Sequence, residues 1–274
     1  MTTFNAFRDF EHAGWGSDAV ASSYHRHLGE VTSGCIPELI RAANFNAGDR
    51  VLDVACGAGY VAAAARDRGA EAVGLDFSAA QVRLAEQTYP DIRFIEGDAE
   101  ALPFADGEFD AVLNAFGLPH LPNPNKAMAE AYRVLRPTGR FAHASWCDAK
   151  KCIGFSMVYD AIRAHGSLDV GLPPGPNFFG YGDLNYASEM LSRAGFTNIS
   201  ATEVPLVWRE SSPDAIIEAV STGTVRAAAV LNRQSPEDLI NIKQNLRERV
   251  SAFTQGGVYA VPVPALVVTA RKPH

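Results

Sequence analysis

The chain has 274 residues, 47% of them apolar, with a formal net charge of −7. That apolar fraction supports a packed core and excludes a disordered chain, and no Lys/Arg-rich run offers the footprint of a nucleic-acid binder. The longest apolar runs fall far short of the ~20 residues a membrane span needs, and the polar start MTTFNAFRDFEHAGW lacks the apolar centre of a signal peptide.

Four cysteines, Cys35, Cys56, Cys147 and Cys152, form no CxxC pair. Free thiols fit a reducing compartment, so the expectation is a soluble, cytoplasmic protein. His143, Cys147 and Cys152 lie close in sequence, but they read as strand-end and helix-start residues, and no metal is expected.

Residues up to about 30 read as an N-terminal lid. Within it, 17–28 carries Val20, Tyr24 and Leu28 at helical spacing, with Tyr24 and His25 as candidates to face a ligand. A second helix is expected over 34–43, with Pro37 in its first turn. The apolar run Val51-Leu52-Asp53-Val54-Ala55 then reads as a strand ending in the turn Cys56-Gly57-Ala58-Gly59, followed by a helix over 60–68. Strand 72–76 comes next, and Ser78-Ala79-Ala80-Gln81 reads as a capping box opening a helix to about 89. Strands at 92–95, 109–113 and 139–146 follow, with a helix starting at Asn123-Pro124 before the last of them. Strands alternating with helices imply a parallel sheet covered on both faces.

Beyond 150 the pattern changes. A helix is expected over 152–165, then a Gly/Pro-rich loop at 166–182 carrying Phe178, Phe179 and Tyr181, then a helix over 183–193. Residues 199–208 and 259–271 each read as one strand. Between them, two helices open at Ser212-Pro213 and Ser235-Pro236. The division expected is lid helices at 1–45, a cofactor-binding core at 46–149, and the rest of the sheet at 150–274, with cap insertions at 150–182 and 212–256.

Asp53, Asp76, Asp98 and Asn114 lie at or just past four strand ends. In a parallel sheet these ends line one crevice. Asp53 suits an ammonium group, and Asp76 can accept both hydrogen bonds of a ribose diol. Asp98 with the backbone of Ala99 suits an adenine edge, and Phe77 with Leu102 could sandwich the ring. An ammonium, a diol and an adenine together describe S-adenosylmethionine. Gly57-x-Gly59-x-x-Ala62 also satisfies a permissive dinucleotide fingerprint. A carboxylate at Asp53 beside a pyrophosphate, and the Asp98 platform, argue against a nicotinamide cofactor.

VLDVACGAGY (51–60), AVGLDFS (72–78), FIEGDAEALPFADGEFDAV (94–112) and AMAEAYRVLRPTGRFAHASW (127–146) resemble the class I S-adenosylmethionine-dependent methyltransferases, in the branch of the ubiquinone/menaquinone C-methyltransferases. The resemblance implies a Rossmann-like, doubly wound α/β fold: a mostly parallel seven-stranded sheet, its last strand antiparallel, with a helical cap. It implies that Asp53, Gly57 and Gly59 hold the methionine part, Asp76 the ribose, and Asp98 with Ala99 the adenine, with Asn114 beside the sulfonium. Ala55 and Thr138 stand where relatives often carry glycine.

Methyl transfer from a sulfonium is an in-line displacement, with S-adenosylhomocysteine as product. His120, in GLPHLP, is the candidate general base for an O or N acceptor. Phe116, His120, Phe178, Phe179 and Tyr181 are the candidate acceptor-binding residues, which suggests a small apolar or aromatic molecule rather than protein or nucleic acid. An enzyme using the bound sulfonium for other chemistry, or a non-enzymatic binding protein on this scaffold, are the alternatives. The residues leave a homodimer open.

Overall fold

The computed structural model describes residues 4–274. Helices α1 (Asn5–Trp15), α2 (Asp18–Ser33) and α3 (Ile36–Ala43) come first. The alternating region follows as β1 (Arg50–Val54), α4 (Tyr60–Asp67), β2 (Glu71–Asp76), α5 (Ala79–Thr88), β3 (Arg93–Glu96), β4 (Phe109–Ala115), α6 (Pro124–Val134) and β5 (Leu135–Trp146). After these come α7 (Ile153–His165), α8 (Leu184–Arg193), β6 (Thr197–Val204), β7 (Val207–Glu210), α9 (Pro213–Gly223), α10 (Arg226–Asn232) and α11 (Pro236–Ser251). The chain closes with β8 (Thr254–Gln255), β9 (Val258–Pro262) and β10 (Ala265–Arg271).

Seven strands form the main sheet in the order β3-β2-β1-β4-β5-β10-β6, and β10 runs antiparallel to both its neighbours. This is the expected Rossmann-like sheet with its last strand reversed. Its faces are set by alternation along the strands. Val51, Ala111, Leu113, Ala142 and Ala144 pack with Leu39, Ile40, Val61 and Ala65 on one side. Leu52, Val112, Phe141 and Val268 pack with Met128, Ala131 and Leu191 on the other. Helices start where capping residues stand: Ser78, Asn123, Asp183, Ser212 and Ser235 each accept a backbone N–H of the first turn. The reciprocal half of the box at Ser78 is different, because the Ser78 N–H goes to Asp76 rather than to Gln81.

Three expectations change. A first helix, α1, precedes the one expected at 17–28. Three helices, not two, fill the segment after β7. The long strands expected at 199–208 and 259–271 are each broken and shared between two sheets. β6 pairs with β10 in the main sheet, and β7 pairs with β9 in a small sheet of order β7-β9-β8. Prolines cause the break, since a proline donates nothing to a ladder. Pro205 and Pro264 lie at the crossing, bridged by the Val263 N–H to the Leu206 carbonyl at 2.9 Å. Everything between the two crossings, 205–264, stands off the main sheet, and α2 packs on α9 within it. Among the described residues, no helix is long and apolar enough to cross a membrane.

Candidate active site

One cavity opens at the carboxyl ends of β1, β2 and β4, enclosing about 890 Å³ of space open to solvent. Asp53, Ala55, Gly57, Asp76 and Phe77 line it from the sheet side, and Tyr24, Trp15, Tyr60, Phe116 and His120 from the others. The structure therefore brings together Tyr24, Asp53, Ala55, Gly57, Asp76, Phe77, Phe116 and His120 of the residues singled out in the sequence.

Asp53 is 1% exposed. Its Oδ2 accepts the Ala62 N–H at 3.0 Å, in the first turn of α4, while its Oδ1 has no partner. Burial pushes its carboxyl up to about 8, and the charge of Asp76 adds to this against the Ala62 N–H. A buried carboxylate with a free oxygen calls for a cation, because leaving it charged and unpaired is costly. Asp76 is also buried. Its Oδ2 accepts the Gly57 N–H and its Oδ1 the Ser78 N–H, both at 2.9 Å. Burial raises its pKa against those two bonds and the nearby His12 and His120. Each oxygen keeps a lone pair, so a diol remains a possible partner.

Gly59 does not touch the cavity. It caps α4 at φ 85°, and a Cβ there would stand 2.7 Å from the Phe94 ring. Its role is close packing of the start of α4 on β3. Ala55 sits at φ 57°, and Thr138 at φ 69°. Both are left-handed backbones, the region that glycine adopts at least cost.

Other expected residues lie elsewhere, for reasons local to each. Asn114 is buried with its amide turned to the backbone: Nδ2 donates to the Val54 carbonyl at 2.8 Å, and Oδ1 accepts the N–H groups of Gly117 and Leu118. It shapes the loop that presents Phe116, which itself sits at φ 60°. Asp98 is exposed and accepts the Glu100 N–H, Ala99 is buried in the core, and neither lines the cavity; the Gly97 N–H just before them bonds the Asp76 carbonyl. The face of Phe77 expected to stack a base carries His12 instead, ring to ring at 4.2 Å.

The aromatic loop is pinned to the end of β5, because Gly182 packs so tightly on the Trp146 carbonyl that a Cβ would stand 1.7 Å from it. That places Tyr181, 2% exposed, in the core against His143 and Tyr186, away from the cavity. Phe178 stands edge-on to His120 at 5.7 Å, and Phe179 backs Phe178. Neither lines the cavity itself.

Sequence reasoning missed Glu11, Trp15 and Tyr60. The Tyr60 hydroxyl bonds His25 Nδ1 across the mouth of the cavity. Glu11 Oε2 lies 2.8 Å from His120 Nδ1 and accepts Trp15 Nε1 at 2.9 Å. The available signal was Phe7, Glu11 and Trp15 at four-residue spacing, an inward stripe interrupted by an acid.

The cavity thus joins a crevice at parallel strand ends, a turn without bulky side chains and two buried carboxylates, one of them with an unpartnered oxygen. A family model described as a methyltransferase domain matches residues 52–143. The demethylmenaquinone methyltransferase of Paenarthrobacter aurescens is 30% identical over 201 residues, 69% of this chain and 79% of that protein. That of Renibacterium salmoninarum is 48% identical over 99 residues, 36% of this chain, and the chain spans only 42% of its length. Among solved structures, a phosphoethanolamine N-methyltransferase of Haemonchus contortus, in complex with S-adenosylhomocysteine, superposes with a TM-score of 0.60 at 18% identity, over 98% of this chain and 60% of that one. The chain belongs to the class I S-adenosylmethionine-dependent methyltransferases, in the branch that contains the demethylmenaquinone methyltransferases.

Proposed function

We propose that the protein transfers a methyl group from S-adenosylmethionine to a small, apolar or aromatic acceptor. The observation that carries this is Asp53: a buried carboxylate with one oxygen unpartnered, facing a cavity whose other walls are mainly apolar and aromatic. An amino-acid ammonium satisfies that oxygen. Asp76 takes the ribose diol, Gly57 and Ala55 let the methionine part pass close to the backbone, and Tyr24 closes over it. Phe77, with Asp98 and Ala99 past the neighbouring strand end, takes the adenine, which requires His12 to leave the Phe77 face.

When bound, the cofactor supplies an electrophilic methyl carbon and leaves as S-adenosylhomocysteine. The chain's part is alignment and exclusion of water, and positioning alone removes ~7–11 kcal/mol from such barriers. His120 takes the proton of an acceptor hydroxyl. Trp15, Tyr24 and Phe116 supply flat walls, which suit an aromatic ring better than a flexible polar chain. Relatives named for demethylmenaquinone fit that choice, and a hydroxylated fused ring is the first acceptor class to try.

Release of S-adenosylhomocysteine from a panel of phenols and reduced naphthoquinones, set beside aliphatic amines, is the test. Turnover confined to the aromatic hydroxyls is expected. Turnover only with the amines, or none with cofactor bound, contradicts the proposal.

A further inference from the structure

Glu11 is the most unusual residue on the first helix. The inward residues of α1 are Phe7 and Glu11, and Glu11 is 1% exposed. A carboxylate placed there costs far more than a leucine would, since desolvation is not repaid by ordinary packing. Its hydrogen-bond partners are the Trp15 indole N–H at 2.9 Å and His120 Nδ1 at 2.8 Å. Neither a lysine nor an arginine hydrogen-bonds it among the described residues. Helix α1 has other means of staying down: Arg8 pairs with Glu100 at 2.9 Å, and the Ser78 hydroxyl donates to the Trp15 carbonyl at 2.7 Å. Anchoring the helix therefore does not require a buried acid at position 11. What the acid does is hold one nitrogen of an imidazole that lines the cavity.

We infer that Glu11 is a positioning residue for His120: it fixes the proton on Nδ1 and leaves Nε2 as the bare nitrogen offered to the acceptor. The inference rests on the proposed role of His120 as base. A carboxylate oxygen only accepts, so at 2.8 Å the hydrogen lies on Nδ1. The Trp15 indole also stands 3.4 Å from Nδ1, but its single hydrogen goes to the nearer Glu11 oxygen. In the transfer, the acceptor O–H bond breaks, its electron pair stays on oxygen as the nucleophile, and the proton passes to Nε2. The imidazolium so formed lies against the Glu11 carboxylate, and its charge is offset without water. Because Glu11 is on α1 and His120 follows β4, the base is complete only with α1 closed over the site.

Two readouts test this. The first uses the protein alone: nitrogen NMR of selectively labelled histidine, with His120 assigned by His120→Gln. Protonation on Nδ1 at pH 8 is expected in the wild type and a mixture of tautomers in Glu11→Gln. A wild-type His120 protonated on Nε2 overturns the inference. The second uses reduced naphthoquinone and S-adenosylmethionine. Glu11→Gln is expected to lower kcat at least tenfold with KM and cofactor Kd unchanged, Glu11→Asp to recover part of the loss, and Arg8→Ala, which removes one tie of α1 but leaves the Ser78–Trp15 tie and Glu11 to hold it closed, to lower kcat less than Glu11→Gln does. Wild-type kcat in Glu11→Gln, while His120→Gln is inactive, overturns the positioning role alone. Full activity in His120→Gln instead removes the base on which it rests.

Discussion

The two sides of the cavity are held by different kinds of bond. On the β1–β2 side, Asp53 and Asp76 are fixed by backbone N–H groups of Ala62, Gly57 and Ser78. On the α1 side, His120 is fixed by side chains, Glu11 with Trp15 beside it and Phe178 edge-on. Backbone donors belong to the sheet and the helix starts, so the first side is rigid as soon as the core forms. The second exists only when a separate helix docks. A cofactor common to a whole family fits the first arrangement, and a base that must admit and release an acceptor fits the second.

That contrast can be broken at either side. The largest effect is expected from His120→Ala: a loss of kcat of about 10²-fold or more, with cofactor affinity unchanged. Turnover equal to wild type across the pH range removes the base. Asp76→Ala is next. It should weaken cofactor binding by more than about tenfold, the usual size of a lost charged hydrogen bond, and also lower Tm, because the Gly57 and Ser78 N–H groups lose their acceptor. Unchanged calorimetric affinity would count against the ribose assignment.

Smaller effects come from the core. His143 is fully buried with neither ring nitrogen partnered, and burial pushes its pKa down to about 3. In the unfolded chain the value is about 6.5. Protons therefore bind the unfolded state first, and stability is lost as pH falls from about 6.5 toward 3, at up to ~1.4 kcal/mol per pH unit. Asp53 has the opposite sign. Its carboxyl lies at about 8 in the fold, so its share of stability is present at low pH and is lost as pH rises from about 4 to about 8. Tm measured from pH 4 to 7 should flatten on the acid side in His143→Leu and steepen in Asp53→Asn. Parallel curves for all three proteins contradict both assignments. The smallest effect is Thr138→Gly, which relieves a β-branched residue at φ 69° and should raise stability by about 1 kcal/mol in a denaturant titration. A fall in stability would mean the threonine side chain matters more than the backbone.

The same contrast explains what was legible in the residues. The strands, their alternation with helices and the two buried carboxylates at the cavity depend on neighbours within a strand–turn–helix, and local sequence carries them. Asp98 and Asn114 obeyed the same positional rule, yet their side chains bond Glu100 N–H and the Val54, Gly117 and Leu118 backbone. The rule names the end of the sheet where a residue sits and not the direction its side chain takes. Tyr181 was expected at the cavity because loop aromatics often line sites, but the close approach of Gly182 to β5 turned it inward. Glu11 and His120 are 109 residues apart, and no local pattern pairs them. The broken strands were half visible, since Pro262 and Pro264 marked an irregular edge without showing that a second sheet begins there.

The central claim is that a buried, cation-seeking Asp53 binds the amino-acid end of S-adenosylmethionine. Calorimetric titration of the cofactor between pH 6 and 7.5 tests it most directly, because Asp53 must lose its proton to hold an ammonium. The account predicts an affinity that rises about tenfold per pH unit in the wild type and becomes weak and flat in Asp53→Asn. Tight, pH-independent binding shared by both proteins would contradict it.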